Sequence, residues 1–246
     1  MSTLLEAMNK KKELEIVVPV YNEEKQLPDS ISRLVDFLNK YVEIPWGIII
    51  ANNGSSDETL EVAKSLSIQF PNIRVLDIGE RGRGRALRKS WMESGADFIC
   101  YTDVDLSTDI HALPEIIKTL KEGHSVVTGS RHVPGSSVKR SLVRDFFSRS
   151  YNLMLRMMLG VRFKDAQCGF KALSREAVAE LVPLVENQEW FFDTELLTVA
   201  EKKGYGVVEV PVKWVEDPDS RVELHKIIPD YLGNILRLRK RLREIS

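Results

Sequence analysis

Short apolar runs rich in β-forming residues alternate along this chain with longer segments of helical periodicity. The first three runs cover residues 15–20, 46–51 and 73–78, and after each one apolar residues recur at helical spacing. Such alternation is typical of βαβ units, in which helices join neighbouring parallel strands and cover the sheet. The sequence therefore predicts an α/β fold with a largely parallel central sheet flanked by helices.

The chain is expected to form one domain. Its 246 residues, 43% of them hydrophobic, can bury one sizeable core, and no repeat, linker or low-complexity tract divides them. We predict a single domain over 1–246. Within it, residues 1–12 are expected to be a flexible N-terminus and residues 226–246 a basic amphipathic helix.

Composition excludes several classes of protein. The net charge of -1 gives no field that would attract nucleic acid, and no run approaches the roughly 18 to 20 apolar residues of a membrane span. The two cysteines lack CxxC spacing, which favours a reducing compartment without a metal–thiolate site. Since no signal-peptide pattern is present, we expect a cytoplasmic protein. Peripheral contact with a membrane or a membrane protein stays open.

Polar loops follow three successive strands. A turn at 52–57 follows the second strand, a glycine- and arginine-rich loop at 81–85 follows the third, and Asp103-Val104-Asp105 follows the fourth, at 98–102. The carboxyl ends of parallel strands share one edge of a sheet, where ligands bind. This edge is the predicted active-site rim.

Asp103 and Asp105 can both reach one hard cation, because two carboxylates at i and i+2 converge where the backbone turns. The alternative is an acidic loop that is simply exposed to solvent.

The Arg81–Arg85 loop offers positive charge and unobstructed backbone amides to a diphosphate at a helix N-terminus. A solvated basic turn is the alternative there.

A second basic region begins at Thr128-Gly129-Ser130-Arg131 and continues through residues 140–149, beside many apolar residues at 146–159. Most of these apolar side chains are expected in the core. Their density next to arginine nevertheless suits an acceptor with an anionic head and a hydrocarbon tail at a membrane interface.

Several motifs resemble glycosyltransferase family 2 over nearly the whole chain. They are Val18 to Glu24 (VPVYNEE), the NGSSD turn at 53–57 and the DVDL stretch at 103–106. Three further stretches, at 165–171, 190–197 and 209–212, resemble dolichyl-phosphate glucosyltransferases in particular. The related dolichyl-phosphate mannosyltransferases match less well over those stretches.

The resemblance implies a GT-A fold with a Rossmann-like sheet, a UDP-glucose or GDP-mannose donor, and a polyprenyl phosphate acceptor glycosylated with inversion. By position it assigns the nucleotide-sugar pocket to Pro19, Tyr21, Glu23, Asn52, Arg83, Gly84, Asp103, Val104 and Asp105. It assigns Mg²⁺ or Mn²⁺ to Asp103 and Asp105, the acceptor phosphate to Arg131, Arg144 and Ser148, and catalytic roles to Asp105, Asp165 and Arg221.

The chain departs from the family pattern at two places. Asn52-Asn53 stands where members often have Asp-Asp, and Ser107 stands where a metal-binding Gln often lies. Asp165 resembles the carboxylate proposed as a base in the family. A phosphate monoester with a second pKa near 6 hardly needs deprotonation, so Asp165 is alternatively a residue that positions the acceptor.

The sequence thus predicts transfer of glucose from UDP-glucose to a polyprenyl phosphate at the cytoplasmic membrane face. Three alternatives stay open: a GDP-mannose-dependent mannosyltransferase, a soluble transferase with a non-lipid acceptor, and a nucleotide-sugar-binding module without turnover. A soluble acceptor would need a general base, for which Asp165 and Glu195 are the candidates. The Asn52-Asn53 departure is the best support for a binding module.

Overall fold

The computed structural model describes residues 12–216 and 224–244. The strands are β1 Leu14–Val20, β2 Trp46–Asn52, β3 Ile73–Asp77, β4 Phe98–Thr102, β5 Val126–Ser130, β6 Ser137–Lys139, β7 Phe170–Ser174, β8 Val207–Pro211 and β9 Lys213–Val215. The α-helices are α1 Leu27–Tyr41, α2 Thr59–Gln69, α3 Arg83–Glu93, α4 Leu113–Lys121, α5 Leu142–Leu159, α6 Arg175–Leu181, α7 Phe192–Lys202 and α8 Leu224–Arg241, with short 3-10 turns at Ile110–Ala112 and Val182–Leu184.

Seven of the strands form one sheet in the order β3-β2-β1-β4-β7-β5-β8. The pairs among β3, β2, β1 and β4 are parallel, as is β5 with β8. This confirms the predicted α/β class and the four strands proposed from the sequence. Strand β7 runs antiparallel to both β4 and β5, a feature that the apolar pattern did not reveal.

Helices cover both faces of the sheet, so both faces are buried. Successive side chains of a strand point to opposite faces and therefore enter different apolar clusters. On β1, Ile16 and Val18 join an apolar cluster covered by α1, α2 and α4, whereas Val17 joins a second cluster covered by α3 and α5 to α8. Helix α1 begins beside Pro28 and buries the apolar face that its sequence predicts. The helices therefore hold the strand ends in a fixed arrangement.

Helix α8, from residue 224 to 241, overlaps the segment 226–246 in which a basic amphipathic helix is expected. Ile235 and Leu238 on α8, and Leu242 just after it, are buried in the second cluster, so this helix packs onto the domain. None of the helices in the described ranges is long and apolar enough to cross a membrane.

A second, two-stranded sheet pairs β6 with β9 in parallel register. The segment after β4 is tied to it, because Thr108 bridges Trp214 and the amide of Asp109 donates to the carbonyl of Lys213 at 2.9 Å. The small sheet therefore fixes the segment that follows Asp105.

Close packing between β5 and its neighbours leads to a stability prediction at Gly129. A Cβ at this position would lie 2.8 Å from Val212 Cγ1 and 2.9 Å from Cys168 Sγ, and both of these side chains are buried. We expect Gly129→Ala to lower the free energy of unfolding by about 1–3 kcal/mol through overpacking. The measurement is urea unfolding followed by circular dichroism.

Gly206→Ala is the matched control, because a Cβ there has no neighbour within 4 Å and the residue does not adopt a positive φ. We expect its unfolding free energy to stay within about 0.5 kcal/mol of the parent value. Equal stability of the two variants would contradict the close packing described at Gly129.

Candidate active site

The loops after β1 and β2 are joined at the predicted rim. The amide of Asn22 donates to Ser55 Oγ at 3.0 Å, and the amide of Ser56 donates to Asn22 Oδ1 at 2.8 Å. Asn22 has a φ of 56°, a left-handed conformation that asparagine tolerates better than most residues. The amide of Glu23 donates to Thr59 Oγ1 at 2.8 Å, which ties this loop to the start of α2.

The residues assigned to the nucleotide lie at this edge. Pro19 is buried on β1, and the ring of Tyr21 lies under the Arg81 guanidinium, with 4.6 Å between Cζ and the ring centroid. Asn52 ends β2 and donates from Nδ2 to Asp77 Oδ1 at 2.9 Å. A carboxylate from β3 therefore lies beside the asparagine that replaces the family's aspartate.

The arginine- and glycine-rich loop at 81–85 is expected to offer free backbone amides to a diphosphate, but two of these amides are already hydrogen-bonded within the protein. The amide of Gly82 already donates to Asn53 Oδ1 at 2.7 Å, and that of Arg85 donates to the carbonyl of Gln188 at 3.0 Å. Gly84 serves close packing against α7, because a Cβ at this position would lie 2.7 Å from Phe192 Cβ. The expectation is therefore wrong for the amides of Gly82 and Arg85, and the loop's main contribution is the side chain of Arg83.

Arg83 is the centre of a buried charge network. Its Nη1 donates to Asp193 Oδ2 at 2.6 Å and its Nη2 donates to Asp103 Oδ1 at 2.7 Å. The Cζ atom of Arg83 also lies 4.8 and 5.2 Å from the ring centroids of Tyr101 and Trp190, within the range of cation–π contacts. These contacts fix the position of the Arg83 guanidinium at the rim.

Asp193 also accepts a hydrogen bond from Tyr101 and forms an ion pair with Lys171. Its Oδ1 lies 2.5 Å from Tyr101 Oη and 3.2 Å from Lys171 Nζ, and Lys171 has no exposed surface. Burial alone would raise the pKa of Asp193, but the charges of Lys171 and Arg83 outweigh it and hold the pKa below its usual value. We call Arg83, Tyr101, Asp103, Lys171 and Asp193 the Asp193 network.

The two aspartates of the Asp-x-Asp motif have different surroundings. Asp103 is partly exposed, and its Oδ2 faces Gly169, where an added Cβ would come within 1.8 Å of that oxygen. Val104 is buried, and Asp105 accepts from the amide of Ser107 through Oδ1 at 2.9 Å. The glycine is required because any side chain at 169 would displace Asp103.

Arg131 and Asp165 form a second buried pair. Arg131 donates to Asp165 from Nε at 2.7 Å, from Nη2 at 2.8 Å and from its backbone amide at 2.9 Å. The amide of Gln167 donates at 3.2 Å, so four donors surround a carboxylate with no exposed surface. Burial alone would raise the pKa of Asp165, but Arg131 outweighs it and holds the pKa well below the usual value.

The other two residues assigned to the acceptor phosphate lie on α5. Ser148 is nearly buried, with its Oγ 3.1 Å from Nε2 of His132, the residue that follows Arg131. Arg144 lies one turn before Ser148 and pairs with Glu216 at 2.8 Å. The hydrogen bond between His132 and Ser148 joins α5 to the residue that follows Arg131. Arg221 lies outside the described residues.

Several residues of the site were missed as participants by the sequence analysis. Three of them, Lys171, Trp190 and Asp193, belong to stretches that resemble the family, and the roles of all six depend on contacts distant in sequence. These residues are Tyr101, His132, Lys171, Trp190, Asp193 and Trp214.

The lowered pKa of Asp165 leads to a prediction about acid stability. Asp165→Asn should lower the free energy of unfolding at pH 7 by about 3 kcal/mol, because it leaves the buried charge of Arg131 unbalanced. A carboxylate with a lowered pKa stabilises the fold above its unfolded pKa of about 3.9, and that stabilisation is lost as the pH falls. The difference between parent and variant should therefore shrink by roughly 0.7 kcal/mol at pH 3.5.

Urea unfolding at the two pH values measures this difference. Asp29→Asn is the control, since Asp29 pairs with Arg33 at the surface, and its effect should stay below about 0.5 kcal/mol. A difference for Asp165→Asn that grows on acidification would contradict the assigned direction of the pKa.

The fold matches solved structures. Glucosyl-3-phosphoglycerate synthase from Mycobacterium tuberculosis, in a complex with UDP, superposes with a TM-score of 0.67 at 19% identity, covering 97% of this chain and 84% of that one. A second structure of that enzyme, with Mn²⁺, UDP and glucosyl-3-phosphoglycerate, gives a TM-score of 0.63 at 20% identity, covering 98% and 81%. These matches confirm the GT-A fold that the resemblance implied.

Curated relatives are similar over most of the chain. Glycosyltransferase AglD of Haloferax volcanii is 36% identical over 92% of this chain and 36% of its own length. Dolichyl-phosphate beta-glucosyltransferase ALG5C of Trichomonas vaginalis is 33% identical over 86% of this chain, which spans 66% of that protein. The dolichyl-phosphate beta-glucosyltransferase of Dictyostelium discoideum is 31% identical, over 93% of this chain and 74% of its own.

The glycosyl transferase family 2 model matches residues 15–182, which include β1, β2, the Asp-x-Asp motif and the Arg131–Asp165 pair. That match covers more than half of the chain and contains the motifs that carried the resemblance. The chain belongs to glycosyltransferase family 2.

Proposed function

We propose that this protein transfers glucose from UDP-glucose to a polyprenyl phosphate, with inversion and with a divalent metal ion. The observation that carries the proposal is the presence of two separate cationic groups at one edge, Arg83 in the Asp193 network and Arg131 held by Asp165. Two anionic substrates, a sugar diphosphate and a lipid phosphate, match these two groups. Segment 165–171 joins the groups, since Asp165 binds Arg131 and Lys171 binds Asp193.

The choice of donor rests on the relatives. Several are named dolichyl-phosphate beta-glucosyltransferases, and the glucosyl-3-phosphoglycerate synthase structures contain UDP. In this chain Tyr21, Asn52 and Asp77 lie at the carboxyl ends of three adjacent strands, where they would contact the nucleotide. GDP-mannose is the alternative donor. It is tested because Asn52 and Asn53 stand where family members often have aspartates, and this difference bears on which nucleotide binds.

The residues present fit a divalent ion. Asp105 and Asp103 provide hard oxygen ligands of the kind that Mg²⁺ and Mn²⁺ prefer, and one oxygen of Asp103 is already used by Arg83. In the described part of the chain no three His, Cys, Asp or Glu side chains gather into a metal site, so the donor's phosphates and water would complete the coordination. A bound ion would supply positive charge to the departing diphosphate.

The chain's own residues would orient the two substrates for a single displacement. An oxygen of the acceptor phosphate attacks the anomeric carbon, the bond from that carbon to the diphosphate oxygen breaks, and its electron pair leaves with UDP. Arg83, held by Asp193 and Asp103, stabilises the growing negative charge without having to reorganise. A β-linked product from the α-linked donor requires this inversion.

Asp165 is assigned a positioning role here, not that of a general base. Its carboxylate accepts four hydrogen bonds, which occupy the lone pairs that would take a proton, and its pKa is lowered. The acceptor phosphate is already mostly a dianion at neutral pH. Asp165 therefore acts through Arg131, which it holds in place to contact the acceptor phosphate together with Ser148 and Arg144.

The lipid character of the acceptor is supported by the surface of α5. Leu142, Phe146, Leu153 and Met157 form a stripe along one side of this helix, and Leu142 and Phe146 are 88% and 67% exposed. Val143 and Phe147 widen the stripe, and the exposed Arg149 lies within it. An apolar stripe with basic residues suits the surface of an anionic membrane. We propose peripheral contact there, on the cytoplasmic face.

The activity test measures UDP release by purified protein given UDP-glucose and a short polyprenyl phosphate with Mg²⁺ or Mn²⁺. We expect release only when donor, lipid phosphate and metal are all present. Asp105→Asn should lower kcat by about 100-fold or more and weaken Mn²⁺ binding in the presence of UDP, measured by electron paramagnetic resonance. Arg221→Met would test the residue outside the described ranges in the same assay.

Asp29→Asn is the control for this experiment, since its carboxylate is exposed on α1. Preference for GDP-mannose would overturn the donor, and turnover with a soluble alcohol would overturn the lipid acceptor. Binding of UDP-glucose without turnover under every condition would instead support a nucleotide-sugar-binding module.

The stripe on α5 leads to a separate prediction about membrane binding. Leu142→Ser combined with Phe146→Ser should weaken binding to vesicles containing phosphatidylglycerol by at least about tenfold, because each side chain contributes about 1.5–3 kcal/mol when fully buried. Co-sedimentation with the vesicles measures the affinity. Ile68→Ser is the matched control, because Ile68 is 85% exposed on α2 and outside the stripe. Equal losses in both variants would contradict a specific membrane-binding surface.

A further inference from the structure

A cavity of about 750 Å³ lies between α1, the segment after Asp105 and the small β6–β9 sheet. Its volume is in the range of small-molecule sites. None of the residues assigned above to the donor or the acceptor phosphate lines it. The cavity is therefore a second feature of the molecule, for which the proposed transfer reaction provides no role.

One wall of the cavity is aromatic. Phe37 and Tyr41 on α1 have ring centroids 4.8 Å apart, and the ring of His111 packs edge-on at 5.0 Å from the first and 5.7 Å from the second. Leu106, Ile110 and Val215 extend this wall. Apolar side chains that line an open cavity can cover the hydrocarbon part of a ligand.

The rest of the lining is mainly cationic. Arg33, Lys40, Lys139 and Lys213 line the cavity, against two carboxylates, Asp36 and Asp109. Asp109 is already bonded to His111, with 2.6 Å between Oδ1 and Nδ1. The charge of Lys213 acts on Asp109, but the four cationic side chains of the lining still outnumber its two carboxylates.

The small sheet explains why these lysines share the cavity. In the parallel register Ser137 pairs with Lys213 and Lys139 with Val215, so these four side chains lie on one face. Trp214 alternates with them, and its ring lies 5.5 Å from Arg131 Cζ and 5.9 Å from Arg140 Cζ. Trp214 also lines the cavity, so the small sheet connects the cavity and its two lysines with the neighbourhood of Arg131.

We propose that this cavity binds an amphiphile with a phosphate head and an apolar chain. The head would pair with Lys139 and Lys213, and the chain would cover Phe37, Tyr41 and His111. A simple anion would leave the aromatic wall in contact with water, and a neutral hydrocarbon would leave the excess positive charge of the lining uncompensated. A phosphorylated amphiphile satisfies both groups, and the proposal does not depend on transferase activity.

The test follows the histidine ring signals by NMR while short-chain lipids are added below their micelle concentration. The chain has four histidines, so the ring signals of His111 in the cavity and His132 beside Ser148 can be assigned with His→Gln variants. Dihexanoyl phosphatidic acid should shift the His111 signal saturably. Dihexanoyl phosphatidylcholine, which has the same chains, and inorganic phosphate, which has no chain, should each bind at least about tenfold more weakly.

Farnesyl phosphate is a further arm that identifies the source of the amphiphile. Tighter binding of phosphatidic acid assigns the cavity to a membrane phospholipid, and tighter binding of farnesyl phosphate assigns it to an isoprenoid phosphate. Both outcomes support the shared chemistry. The His111 signal reports binding in the cavity, and the His132 signal reports binding at the proposed acceptor site. The cavity proposal can therefore fail while the proposed function stands, and the reverse.

Lys139→Gln combined with Lys213→Gln should weaken phosphatidic acid binding at His111 by about tenfold or more. The matched control, Lys64→Gln combined with Lys121→Gln, removes two exposed lysines on α2 and α4, away from the cavity, and should leave the affinity unchanged. Unchanged affinity in the first variant, a shift of His132 without one of His111, or equal binding of inorganic phosphate would each overturn the proposal.

Discussion

Compensation of buried charge is the constraint on which the rest of this site depends. Arg83, Lys171 and Asp193 have almost no exposed surface, and neither do Arg131 and Asp165. Burying an ion without a partner is far costlier than burying a bonded pair, so each of these side chains is stable only in the geometry that its partners impose. The same geometry holds Arg83 against Asp103 and Arg131 against Asp165, which fixes the positions of two guanidinium groups at one edge of the sheet.

Strand β7 is the element that brings these charges together. Its antiparallel register places Lys171 opposite Tyr101 on β4 and opposite Thr128 on β5, so that Lys171 reaches Asp193 from inside the sheet. The residues just before β7 complete the connection, since Gly169 packs on Asp103 and Asp165 binds Arg131. A change anywhere in this segment is therefore expected to affect donor and acceptor sides together.

The small β6–β9 sheet connects the proposed acceptor side with the cavity. Trp214 lies beside Arg131 and Arg140 and also lines the cavity, together with Lys213 and the aromatic wall of α1. Together with the exposed stripe on α5, this gives the domain three surfaces suited to amphiphilic or anionic ligands. All three lie on elements attached to the GT-A core, where the proposed transfer to a lipid phosphate would need them.

The sequence by itself determined the parallel strands, their helices and the rim, because apolar periodicity and turn residues act over a few positions. It also indicated Asp103, Asp105, Arg131 and Ser148 through motifs. Only the tertiary structure decided that the amides of Gly82 and Arg85 are engaged, that Asp165 is saturated by donors, and that Asp193 holds Arg83 across 110 residues. Those outcomes depend on which distant polar groups become buried together, and a local pattern of residues does not contain that information.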